Sequence, residues 1–192
     1  MNLPTHFYSI VVVSVSRTGS VLITQNLAKH FDCAILHTHN PLIRVNQNQL
    51  VILSLRKKTL DTIVSMILAS RTKETIEYSN QAIEPFYVGY DEFETKFWHV
   101  QCFQQTVKNR FPEALIVEYE PLMADSKYLF SFFGIDKETS YNLTNRSPYS
   151  NKALIENYSE CETWFDQLQS QTITQLMLDD FAESMKINWV DP

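Results

Sequence analysis

Three short polar stretches hold the side chains with chemistry to offer: Ser16-Arg17-Thr18-Gly19-Ser20, His37-Thr38-His39-Asn40-Pro41 and Arg56-Lys57-Lys58. The first joins a guanidinium, hydroxyls and a glycine that lets backbone approach a ligand closely, which is what gripping an anion requires. The second presents two histidines, and an ordinary pKa of about 6.5 suits an imidazole to proton removal near neutral pH. Metal binding by His37 and His39 is the competing reading; an i, i+2 pair with no cysteine or carboxylate nearby favours it little. The third stretch is cationic, and Ser65 follows nine residues after Arg56 and eight after Lys57.

Each stretch directly follows an apolar run. Ile10–Val15 is β-branched at every position but Ser14, the pattern of a parallel strand covered on both faces. An amphipathic helix follows the first turn, with Leu22, Ile23, Leu27 and Phe31 apolar and Gln25, Asn26, Lys29 and His30 facing outward. The N–H groups of its first turn and their partial positive charge make an anion site, with Arg17 adding a full charge. Cys33–Leu36 reads as a second strand and Leu50–Leu55 as a third. Leu60, Ile63, Val64, Ile67 and Leu68 then mark one face of a helix.

Further along, Asp91–Phe111 reads as a long helix with Asp91 as N-cap and Pro112 as stop. Its apolar face is Phe93, Phe97, Val100, Phe103 or Gln104, Val107 and Phe111. Leu115–Tyr119 is the fourth strand, and Glu120–Phe133 a helix closed by Gly134. Residues 74–90 read as a mobile loop or broken helix, and 136–150 as loop. The tail, 152–187, reads as helical, with Trp164, Phe165, Leu168, Leu176, Phe181 and Met185 as a core stripe. Tyr87, Tyr90, Phe93 and Trp98 are either an aromatic binding wall or core.

Strands alternating with helices predict an α/β fold: a three-layer, mainly parallel sheet flanked by helices, with a helical C-terminal part. Ligands of such sheets bind beyond the carboxyl ends of the strands. All three polar turns follow strands, so parallel pairing would gather them on one edge.

The 192 residues, 44% apolar and 12% aromatic, suffice for one domain spanning 1–192. No apolar run approaches the roughly 20 residues of a membrane span, and no basic N-terminal leader precedes residue 10. Cys33, Cys102 and Cys161 are odd in number and far apart, so neither a zinc site nor a disulfide framework is expected, and the expected setting is cytoplasmic. Residues 1–60 carry six cations against the single acid Asp32, a net of +5 that leaves −11 for the rest of a chain of net charge −6. A small polyanion bound by the N-terminal part fits that asymmetry, whereas nucleic acid does not, for lack of a long Lys/Arg run or a reading motif.

The first turn is not a Walker A loop, because Gly19 is followed by Ser20-Val21 and not by Lys then Ser/Thr. It resembles instead the 5′-phosphosulfate loop of sulfotransferases that use 3′-phosphoadenosine 5′-phosphosulfate (PAPS). Arg17, Thr18, Gly19 and Ser20 match that loop; Ser16 replaces its proline and Val21 a common threonine. Arg56 through Ser65 resembles the family's 3′-phosphate element, in which a strand-end arginine and a later helix serine hold the phosphate. His37-Thr38-His39-Asn40-Pro41 resembles the Lys-Thr-His-x-Pro loop whose histidine is the general base. The segment 115–135, a strand ending in Tyr119-Glu120 and a helix ending in Gly134-Ile135, is also similar. The resemblance spans residues 8–135; the late glycine-rich element that closes over the nucleotide is absent, with Arg146 or Lys152 as possible substitutes.

The resemblance implies a sulfotransferase moving a sulfuryl group from PAPS to a hydroxyl or amine of a small-molecule, saccharide or glycolipid acceptor, without a metal. It implies His39 as base and Arg17 as the group that meets the charge of the leaving oxygen. Arg17, Thr18, Gly19, Ser20, Val21, Leu22, Arg56 and Ser65 would bind the nucleotide. Two rivals stand beside it: a protein that binds PAPS or its product without transfer, and a nucleotide kinase of related fold, disfavoured by the missing Walker lysine.

Overall fold

The structure, a computed structural model, describes residues 8–72, 84–139 and 151–188. Four strands make one parallel sheet in the order β2-β1-β3-β4: β1 (Ser9–Ser14), β2 (Ala34–Thr38), β3 (Gln49–Leu55) and β4 (Leu115–Glu118). Alternation along β1 explains its unbroken apolar run. Ile10 and Val12 enter one core, Val11 and Val13 the other, so neither face can be polar.

On the first face α1 (Ser20–Ala28) buries Ile23 and Leu27 beside Ile52 and Val117. The second face is covered by α2 (Thr59–Thr72) and α3 (Tyr90–Arg110), through Ile63, Ile67, Phe93, Phe97 and Phe103. Leu122 of α4 (Tyr119–Ala124) and Leu129 of α5 (Tyr128–Ser131) complete the first core. The C-terminal part is α6 (Asn151–Leu154), α7 (Tyr158–Gln169) and α8 (Gln175–Asn188), which adds Leu168, Phe181 and Met185 to the second core.

The connections fix where a ligand would bind. β1 runs to β2 through α1 on the first face. The return from β2 to β3 passes on the second face, where Leu42, Ile43 and Val45 pack. Chain direction across the sheet therefore reverses at β1 and β3, the switch point at which such sheets open a crevice. Ser14 and Ser54 are partners in register there.

Several sequence expectations need correction. β2 reaches Thr38, so His37 and Thr38 belong to the strand and not to the loop after it. The helix expected over Glu120–Phe133 is two short ones, because the Asp125 carboxylate accepts the Lys127 N–H at 2.8 Å and turns the chain. α3 starts at Tyr90 with Gly89 as N-cap, and Asp91 sits inside the first turn, where its charge meets the helix dipole. The tail breaks into separate helices; at the first break Asn157 Nδ2 donates to the Val88 carbonyl, and its Oδ1 accepts the Val88 N–H, both at 2.9 Å. Leu176, 69% exposed, lies outside the core stripe. Phe93 is core, not binding wall. Of the expected loops, 73–83 and 140–150 lie outside the described residues, as does Arg146. Among the described residues no helix is long and apolar enough to cross a membrane.

Candidate functional site

β1 delivers the chain into the 16–20 turn with an unusual backbone. Arg17 has φ +71° and Gly19 φ +79°, both in the left-handed region. Two buried hydrogen bonds hold the turn: Thr18 Oγ1 donates to the Val15 carbonyl and Ser54 Oγ to the Thr18 carbonyl, each at 2.9 Å. Gly19 is required twice over. Its φ disfavours a side chain, and an added Cβ would lie 2.6 Å from Cδ2 of Tyr119. The first intrahelical bond of α1 runs from the Ile23 N–H to the Gly19 carbonyl at 3.2 Å. The N–H groups of Ser20, Val21 and Leu22 precede that bond and so have no acceptor within the helix. Ser20 is buried, Val21 is 55% exposed, and Leu22 packs on the first core.

Arg17 Nε donates to Ser65 Oγ at 3.1 Å, joining the turn to the second turn of α2. Family resemblance pairs Ser65 with Arg56, but here the serine meets Arg17. Arg56 lies between acids: 3.6 Å from Asp61, 3.8 Å from Glu120, with its guanidinium 5.0 Å over the Tyr119 ring. Glu120 also accepts the N–H groups of Lys57 at 2.8 Å and Lys58 at 3.2 Å. Partial burial alone would raise the Glu120 pKa, yet those two donors and Arg56 hold it below the ordinary carboxylate value. The positive end of α2 thus meets a carboxylate of this chain.

The histidines share one serine. Nδ1–H of His39 donates to the Ser14 carbonyl at 2.7 Å, and since a carbonyl only accepts, this fixes the tautomer. The basic nitrogen of neutral His39 is therefore Nε2. Ser14 Oγ lies 3.3 Å from His39 Nδ1 and 3.3 Å from His37 Nε2; of the two rings only His37 is able to accept its proton. The rings meet edge to face at 4.7 Å. Burial first, and the neighbouring His39 second, push the His37 pKa down, which favours its neutral form. His99 on α3 is likewise lowered by burial, then by Lys96 and His39. Among the described residues no group of three or more His, Cys, Asp or Glu is arranged to hold a metal ion.

The carboxyl edge thus carries Arg17 with Ser65, His39 on the last residue of β1, and Arg56 linked to Gly19 through the shared contact with Tyr119. Arg56 and Ser65 belong to different contact groups. Sequence reading missed Ser14, Ser54, Asp61, Tyr119 and Glu120. The two serines leave a signal, for each is a lone hydroxyl inside an apolar strand and must find a partner there. The roles of Tyr119 and Glu120 depend on β4 lying beside β3, which no local pattern encodes.

Compared with known proteins, the chain matches no protein-family model, no curated protein and no solved structure.

Proposed function

We propose that the carboxyl edge binds PAPS and transfers its sulfuryl group to a hydroxyl or amine acceptor. One observation carries the reading. A strand-to-helix turn with an obligatory glycine, an arginine held by a helix serine, and an imidazole with a fixed basic nitrogen all end on the switch point between β1 and β3. The N–H groups at the start of α1 and Arg17 would receive the 5′-phosphosulfate, with Thr18 and Ser54 keeping the turn rigid.

The acceptor proton would pass to His39 Nε2 as the acceptor oxygen or nitrogen bonds to sulfur. The bond from sulfur to the bridging oxygen breaks, leaving its charge on the 5′-phosphate of 3′,5′-adenosine bisphosphate. Arg17 and the turn N–H groups would stabilise that charge. The carbonyl of Ser14 would stabilise the imidazolium through Nδ1–H, and His37, in its favoured neutral form, adds no repelling charge. Arg56 is the cation for the 3′-phosphate, held in place by Asp61 and Glu120.

Calorimetry with 3′,5′-adenosine bisphosphate against ATP tests the binding half; the bisphosphate should bind and ATP should not. Transfer of label from radioactive PAPS to an acceptor panel tests the chemistry. Arg17→Ala should lower transfer by about a hundredfold or more. His39→Ala should lower turnover and leave bisphosphate affinity nearly intact. Val21, 55% exposed where the family often has a threonine hydroxyl, favours a second reading, a nucleotide-binding protein without transfer, which predicts bisphosphate binding and no labelled product.

A further inference from the structure

Away from the strand ends, a cleft of about 410 Å³ opens between α3 and the turn joining α7 to α8. It follows the second half of α3, the half that descends toward the amino edge of the sheet before β4 begins. Its lining is unusual in composition. None of the residues that line it carries an ionisable side chain, although charged residues make up 20% of the sequence. Gln101 and Gln105 stand one turn apart on α3, with Gln169, Gln171 and Gln175 across from them. The half-buried indole of Trp98 and the side chain of Ile173 supply apolar wall.

Three of these amides are held by neighbours. Gln169 Nε2 donates to the Asp166 carboxylate at 3.0 Å and Gln175 Nε2 to the Asp179 carboxylate at 2.9 Å. A carboxylate only accepts, so in both residues the amide nitrogen faces the acid and the carbonyl Oε1 is turned the other way. Gln105 Nε2 donates to Asn109 Oδ1 at 2.8 Å. Hydroxyl donors thus find oriented carbonyl acceptors, and Gln101 offers both donor and acceptor.

We propose that this cleft is a saccharide-binding site, taking an uncharged mono- or disaccharide. A sugar ring matches both features: its hydroxyls pair with side-chain amides, and its C–H face lies on an aromatic ring. An ionic ligand finds no countercharge in the lining. A purely apolar one would strip water from five glutamines without replacing their hydrogen bonds. The volume is in the usual range for small-molecule sites, about 300–1,000 Å³.

The test uses the full chain and maltose, lactose and N,N′-diacetylchitobiose, read by saturation-transfer NMR on the sugar protons. At least one sugar should receive magnetisation at its ring C–H protons, with a dissociation constant of about 1 mM. Gln101→Ala combined with Gln105→Ala should weaken binding at least about tenfold, with the melting temperature retained. Gln171→Ala with Gln175→Ala, on the opposite wall, should do the same and stands in if the first pair does not fold. Absence of transfer to all three sugars overturns the assignment, and so does binding that survives both pairs. The readout involves no PAPS, so either result leaves the reading of the strand ends untouched.

Discussion

Two strand-to-helix turns stand near each other on the carboxyl edge, and the fold finishes them differently. At 56–58 the backbone N–H groups entering α2 are taken by Glu120, and the adjacent arginine is paired with Glu120 and Asp61. At 16–20 the start of α1 has no side-chain cap and no acid in its first turn. Its hydrogen bonds instead fix the turn from behind, through Thr18 and Ser54. Both helix starts attract negative charge for the same reason. One is supplied with a carboxylate by the chain; the other is braced by Thr18 and Ser54 and given no acid. The second is the arrangement expected of a turn whose anion comes from outside.

The difference between the two turns rests most heavily on Gly19. Gly19→Ala places a Cβ at φ +79° and 2.6 Å from the Tyr119 ring. Backbone strain and overpacking together should cost about 2–4 kcal/mol, read as a lower denaturant midpoint. Bisphosphate binding should be lost as well, because the ring or the turn must move. Adding Tyr119→Ala should recover about half of the stability, and no recovery would mean that the backbone conformation alone is responsible.

Glu120→Gln tests the other turn. Its amide still accepts one N–H but loses the charge that faces Arg56, at a cost of about 1–2 kcal/mol for a partly exposed group. The pH dependence has a definite sign. Folding lowers the Glu120 pKa, so its contribution is complete above the unfolded value of about 4.3 and disappears as pH falls through the lower folded value. Melting curves of wild type and variant should therefore lie apart at neutral pH and converge in acid. Parallel curves throughout would show that the carboxylate is not what closes the turn.

What the sequence disclosed divides along the same line. Periodicity placed every strand and the long helices within a few residues; β1, β3 and the long helices bury the apolar pattern that marks them, whereas β2 leaves Leu36 48% exposed. The glycine turn was legible since φ > 0, hydroxyls and a following helix are local features. Partnership across the sheet was not legible. Spacing put Ser65 with Arg56, nine residues before it, or Lys57, eight before it; the packing of α2 against the 16–20 turn brings it to Arg17 instead. Likewise nothing local in Tyr119-Glu120 announces that one residue walls Gly19 and the other closes the neighbouring turn. The break within 120–133 was hidden because Asp125 and Ser126 are tolerated in a helix unless a side chain captures the backbone, as Asp125 does.

The smallest expected effect concerns His37, which lies behind the open turn and not in it. Burial and then His39 lower its pKa in the folded protein, so the unfolded chain binds more protons below about pH 6.5. Its contribution to stability is complete above that pH and falls as the pH drops from there toward the folded value. His37→Gln keeps an acceptor for the Ser14 hydroxyl and removes the titration. The variant should melt within about 3 °C of wild type at pH 7.5 and lose less stability than wild type between pH 6.5 and 5. His99 shifts in the same direction and remains in both proteins, so only part of the slope should vanish. An unchanged slope would show that His37 is already hydrated and that Ser14 does not link the two imidazoles. A reduced slope would show that His37 supplies that part of the pH dependence, with burial and then His39 as the causes of its lowered pKa.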